Sequence, residues 1–104
     1  MDEFRASLRS ARWQSPRPGL RYKAVEREGK RLRMMELSKG FKEAVWCYRS
    51  HFGLVLKGEM EVAFGRRKTL YREGDAIAIP GGEASRHKAR PLSPIVKLFL
   101  VDEV

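Results

Sequence analysis

The sequence holds a single cysteine, Cys47. An internal disulfide is therefore impossible, and a structural zinc site built from several thiolates is excluded. No apolar run approaches the roughly 18 residues that a membrane-spanning helix needs, so no membrane partner is expected. The opening residues Met1-Asp2-Glu3-Phe4-Arg5 mix acids with arginine and lead into no apolar stretch, which argues against an export signal. A lone thiol without an export signal fits a reducing cytoplasm. Acidic side chains are also scarce: 13 Asp and Glu face 22 Lys and Arg, for a net charge of +9. Repeats, low-complexity tracts and linkers are absent, and 104 residues suit one domain that buries roughly two thirds of its unfolded surface.

The basic excess is uneven. The first 33 residues carry ten basic and four acidic side chains, or +6 of the total. Such a segment can mark a polyanion-binding surface. The plainer reading takes Arg21, Lys23, Arg31 and Arg33 as solvent-facing strand positions, where cations also discourage edge-to-edge pairing.

Residues Asp2 to Trp13 read as a short helix, with Phe4, Leu8 and Ala11 at helical spacing and Asp2 placed to cap it. Ser15-Pro16-Arg17-Pro18-Gly19 ends it, because two prolines and a glycine cannot continue a helix. Beyond Gly19 the pattern is strand and turn. Leu20 to Arg27 alternates, and Glu28-Gly29-Lys30 turns it into Arg31 to Leu37 as a hairpin. Phe52 to Leu56 is an apolar run broken at Lys57-Gly58, after which Met60, Val62 and Phe64 alternate with acids. Gly65-Arg66 and Glu73-Gly74-Asp75 supply further turns, and Pro80-Gly81-Gly82 stops the strand Ala76 to Ile79. Pro94 introduces Ile95 to Val101, which is apolar on both faces. Short strands separated by turns every 8 to 12 residues indicate an all-β sandwich or barrel.

Gly74-Asp75-Ala76-Ile77-Ala78-Ile79-Pro80-Gly81-Gly82 resembles the second signature of the cupin superfamily: a glycine, five residues, a proline, one residue and a glycine. Upstream, His51-Phe52-Gly53-Leu54-Val55-Leu56-Lys57-Gly58-Glu59-Met60-Glu61-Val62 resembles the end of the first. The matching stretch runs from about Gly40 to Val101. It implies a small single-domain cupin of the RmlC-like superfamily, an antiparallel jelly-roll barrel over residues 20–104 with a pocket between its sheets. Residues 1–19 then form the N-terminal helix and a Pro/Gly-rich lead-in. Gly58 and Gly74 sit where strands reverse and positive φ is needed.

The resemblance also implies a metal site, and here the chain departs from the pattern. The two histidine positions fall on Val45 and Cys47, the carboxylate position on His51, and the last histidine position on Ser85. A substitute set can be drawn from Cys47, His51 and His87. Cys47 and His51 share a strand face if no bulge intervenes, and His87 keeps the parity of Ser85. A thiolate with two imidazoles suits a divalent metal such as zinc, iron, copper, nickel or manganese. In the other reading the histidines are ordinary hydrogen-bonded residues and Cys47 is a buried apolar one. Arg49 shares the face of Cys47 and His51 and is placed to hold a carboxylate or phosphate of a ligand, with Ser85 nearby. His51 is a candidate general base near neutral pH. Trp46 and Tyr48 should face away from Cys47, and Met34, Met35 and Met60 read as core fillers.

Function follows only as a class. The leading expectation is a pocket for a small organic ligand, possessing either metal-dependent oxygenase or isomerase chemistry or a non-catalytic binding role without metal; the sequence does not decide whether it is an enzyme. Nucleic acid is the less favoured partner: Lys39-Gly40-Phe41 opens like an RNA-binding signature, but Lys42 and Glu43 occupy positions that need a small residue and an aromatic. A small barrel has one interior, so the second apolar face of Ile95 to Val101 calls for a cover, which the N-terminal helix and a two-fold partner would share as a homodimer.

Overall fold

Alternation with a period of two builds strands here, and glycine at positive φ turns the chain at the end of most of them. The computed structural model describes residues 3–104 and contains β1 (Gln14–Arg17), β2 (Leu20–Arg27), β3 (Lys30–Ser38), β4 (His51–Lys57), β5 (Glu59–Phe64), β6 (Arg67–Arg72), β7 (Ala76–Ile79), β8 (Lys88–Pro91) and β9 (Ile95–Glu103). They form two antiparallel sheets, one in the order β1-β2-β3-β9-β4-β7 and the other β6-β5-β8. The β2–β3 hairpin turns at Glu28 and Gly29, both at positive φ (51° and 75°), the two-residue turn whose twist suits a hairpin. Gly58, at φ 86°, carries the chain from the larger sheet into the smaller one, and Gly74, at φ 93°, carries it back.

The inward side chains of both sheets meet in one core of Leu37, Phe41, Val55, Met60, Val62, Ile77, Ile79, Val96, Leu98 and Leu100. Parity explains the membership. In β9, Val96, Leu98, Leu100 and Asp102 are buried while Ile95, Lys97, Phe99 and Val101 are only half-buried. Met60 lies in the core and Met35 packs against it, but Met34 falls on the opposite face of β3, cross-strand from Phe99.

The expected N-terminal helix does not form. Described residues 3–13 are turns and bends, and the cap assigned to Asp2 lies outside the described residues. Arg5, Arg9 and Arg12 would stack like charges at i, i+4 and i+7. A single short helix also needs a buried face, whereas Phe4 is 87% exposed. Trp13 instead lies over the Arg21 guanidinium, 3.9 Å from it to the ring centre, and Lys23 Nζ is 4.9 Å from the same ring. The Pro/Gly segment also differs from a plain lead-in. Gln14–Arg17 pairs with β2, and Pro16 is accommodated because β1 is the sheet's edge strand. Among the described residues no helix is long and apolar enough to cross a membrane.

Candidate metal centre and pocket

The three candidate ligands come from different segments, and backbone pairing brings them together. Cys47 and His87 face each other in an isolated antiparallel bridge: Cys47 N donates to His87 O at 2.8 Å and His87 N to Cys47 O at 3.0 Å. His51 opens β4 opposite Ile79 of β7. The Sγ of Cys47 lies 3.7 Å from Nε2 of His51, and one ligand atom from each of the three residues falls within 4.8 Å of the others. The two imidazoles meet edge-on with centroids 5.2 Å apart.

Each histidine has its proton placed by its neighbour. The Nδ1 of His87 is 3.1 Å from the Ser85 carbonyl, which can only accept, so Nδ1 carries the hydrogen and Nε2 keeps its lone pair. The Nδ1 of His51 is 3.3 Å from Asp102 Oδ1, which fixes the same tautomer and turns Nε2 toward Cys47. A carbonyl or carboxylate behind each imidazole is the outer support that metal-bound histidines ordinarily have. The donor set and its tautomers therefore fit a divalent metal.

Asp102 and Arg33 are the residues that sequence reasoning missed. Asp102 accepts from Arg33 at 2.7 Å and lies 3.5 Å from the guanidinium of Arg31. Arg33 is thus not a solvent-facing position: it is 7% exposed and points inward from β3. Burial pushes the His51 imidazole below its ordinary range, and the opposing attraction of Asp102 does not offset it, because the neighbouring His87 and Arg33 add to the lowering. His51 is accordingly neutral at pH 7, as a metal ligand or a general base must be. The signal for Asp102 was present in the sequence, because it continues the inward parity of Val96, Leu98 and Leu100. Arg33 was hidden by Leu32 and Met34, which made the wrong face of β3 look like the core side.

These residues open onto a cavity of about 220 Å³ between the sheets. Its walls are apolar, from Met35, Leu37, Met60, Ile77, Leu98 and Leu100, and its polar groups include Cys47, His51, His87, Arg33 and Arg49. Arg49 lines the cavity from an exposed position, as its parity suggested. Ser85 does not line it: the hydroxyl donates to the Pro80 carbonyl, and the residue serves the site through its own carbonyl on His87. Trp46 is not among the lining residues either, and lies beneath Arg86 and Lys88.

No protein-family model matches the sequence, and neither does any curated protein. Solved structures do match. A sugar phosphate isomerase of the cupin superfamily from Silicibacter pomeroyi superposes with a TM-score of 0.79 at 16% identity, over 96% of this chain and 75% of that one. KdgF from a Halomonas species gives 0.74 at 23% identity over 92% and 91%. A cupin-2 domain protein from Shewanella frigidimarina gives 0.67 at 16% over 80% and 79%. The chain folds as a small cupin. The fold and the glycine and proline signatures match the cupin pattern, whereas Cys47 and His51 stand at positions where the pattern has a histidine and a carboxylate. His87 lies two residues beyond Ser85, the position where the pattern has its last histidine.

Proposed function

We propose that this cupin is a metal-dependent enzyme of isomerase or oxygenase type, in which Cys47, His51 and His87 hold a divalent metal beside a pocket for a small organic ligand. The observation that carries the reading is the paired tautomer: both histidines are fixed by a neighbour at Nδ1, which leaves both Nε2 atoms as lone-pair donors, that of His51 facing the Cys47 sulfur. A metal bound there would supply Lewis acidity to a ligand oxygen. The chain's own residues do the rest. Asp102 orients His51, the Ser85 carbonyl orients His87, and the apolar walls exclude water from the ligand. The likeness to a cupin sugar phosphate isomerase favours the isomerase class. A thiol that must stay reduced to bind metal supports a cytoplasmic setting.

A second reading is supported by the same Nε2. That atom cannot both bind a metal and take a proton, so a metal-free protein would use His51 as general base, with Asp102 behind it and Cys47 at 3.7 Å. A ligand-binding cupin without catalysis is the limiting case of this reading. Elemental analysis of protein purified without a tag or chelator separates them. The expected result is about one metal per chain, lost in His87→Ala, in keeping with removal of one ligand of three. Negligible metal in the unmodified protein would sink the metal reading and leave the base.

A further inference from the structure

One buried side chain of the pocket carries a donor that no neighbour uses. The Arg33 side chain is 8% exposed, and its Nε is the sole buried side-chain nitrogen or oxygen of the described residues without a hydrogen-bond partner. A donor left unpaired in the interior costs about 1–3 kcal/mol, and Nε itself is closed off from the cavity, so a ligand would meet the cavity-facing remainder of the guanidinium rather than Nε. Arg33 lines the cavity, and its Nη2 is held by Asp102 at 2.7 Å, which leaves the guanidinium fixed in place with Nε unused.

The charge around it points the same way. Three arginines line the cavity, Arg17, Arg33 and Arg49, against one lining acid, Glu43. Glu43 is engaged by the backbone N–H of Ala89 at 2.8 Å. Neither Arg17 nor Arg49 has an acidic partner among the described residues. Positive charge gathered in a low-dielectric concavity focuses its field on whatever enters. The remaining walls are apolar, so the complementary ligand has an anionic head and an apolar body. The volume, about 220 Å³, lies below the roughly 300–1,000 Å³ typical of sites for drug-sized ligands.

We propose that Arg33 is the inner anchor of a carboxylate subsite, so that the pocket selects small organic monocarboxylates, with Arg49 and Arg17 steering the anion in from the rim. A carboxylate is favoured over phosphate because it is planar, carries one charge and accepts from a single guanidinium edge, whereas Asp102 already balances part of the Arg33 charge. This substrate class rests on the small-molecule reading above but not on the metal.

The test is calorimetric titration with two matched pairs, benzoate against benzamide and hexanoate against hexanamide, on chelator-treated and on metal-loaded protein. Phenyl phosphate is the control for a general oxyanion site. The acids should bind chelator-treated protein at least about tenfold more tightly than their amides, the scale expected when one charge-assisted hydrogen bond is lost. Arg33→Lys keeps the charge beside Asp102 but removes the planar guanidinium from the cavity wall, and should lower acid affinity by about tenfold while leaving amide affinity unchanged. Arg49→Ala, at an exposed position, should weaken the acids by a smaller factor and does so whether or not the Arg33 variant folds. Equal binding of acids and amides, no acid binding at millimolar concentration, or phenyl phosphate outbinding benzoate would each overturn the proposal. Acids that bind only metal-loaded protein, and lose affinity in His87→Ala but not in Arg33→Lys, would assign the carboxylate to the metal instead. Metal content measured on the same samples reports separately on the metal reading.

Discussion

At the scale of single residues, the site is governed by how few charged groups the interior holds. Arg33 and Asp102 form a buried pair, and His51 leans on the same carboxylate. Breaking such a pair by removing one partner is costly, about 3–5 kcal/mol, so Asp102→Ala should lower thermal stability sharply as well as release His51. One pH dependence follows from His51. Its folded-state value lies below the unfolded one, so the unfolded chain binds more protons as pH falls. Stability from this group is complete above the unfolded histidine range and is lost as pH drops through it toward the folded value. Chelator-treated protein should therefore melt at a lower temperature at pH 5 than at pH 7.5, and His51→Gln should flatten that difference; an unchanged slope in the variant would exclude His51 as its source. The candidates Cys47, His51, His87 and Arg49 could be read from the cupin pattern and its parity. Asp102 was legible only as an inward position of β9, and its role, like that of Arg33, depends on the β3–β9 register, which no local pattern states.

At the scale of elements, the turns were legible because their chemistry is local. Glu28-Gly29, Gly58 and Gly74 each reverse the chain where the sequence placed a break, and all lie at positive φ. The N-terminal helix was misread for the opposite reason: helical spacing over one short segment says nothing about whether a surface exists to bury it. β1 and β8 were missed because four-residue strands containing proline carry almost no alternation. Gly58 and Gly74 also differ in a testable way. A Cβ on Gly74 would meet open space, whereas one on Gly58 would lie 2.4 Å from the Ile95 carbonyl oxygen. Gly74→Ala should cost only the backbone penalty, about 1–2 kcal/mol. Gly58→Ala should cost more, because the end of β4 and the start of β9 must also part. Equal midpoints in urea for the two variants would show that the contact at Ile95 is relieved without strain.

At the scale of the whole molecule, the unanswered demand is the outer face of the larger sheet. Cross-strand register sets Ala78, Phe52, Val101 and Leu32 in one row, and Ala76, Leu54, Phe99 and Met34 in the next. Phe52 is 49% and Leu54 39% exposed, and no charged side chain interrupts either row. A contiguous apolar patch of this kind marks an interface. We propose that it is closed by a second copy of the chain. Two molecules of charge +9 repel over most of their surfaces, and these two apolar rows, bordered by Lys23 and by the Lys97 and Glu36 pair, are where they can meet with few like charges opposed. Such an interface is isologous, so one substitution is present twice. Phe52→Lys should therefore convert a 24 kDa species to the 12 kDa chain in light scattering at micromolar concentration, while the pocket on the other side of the sheet keeps its ligand affinity. A 12 kDa mass for the unmodified protein would show that this face remains open to solvent.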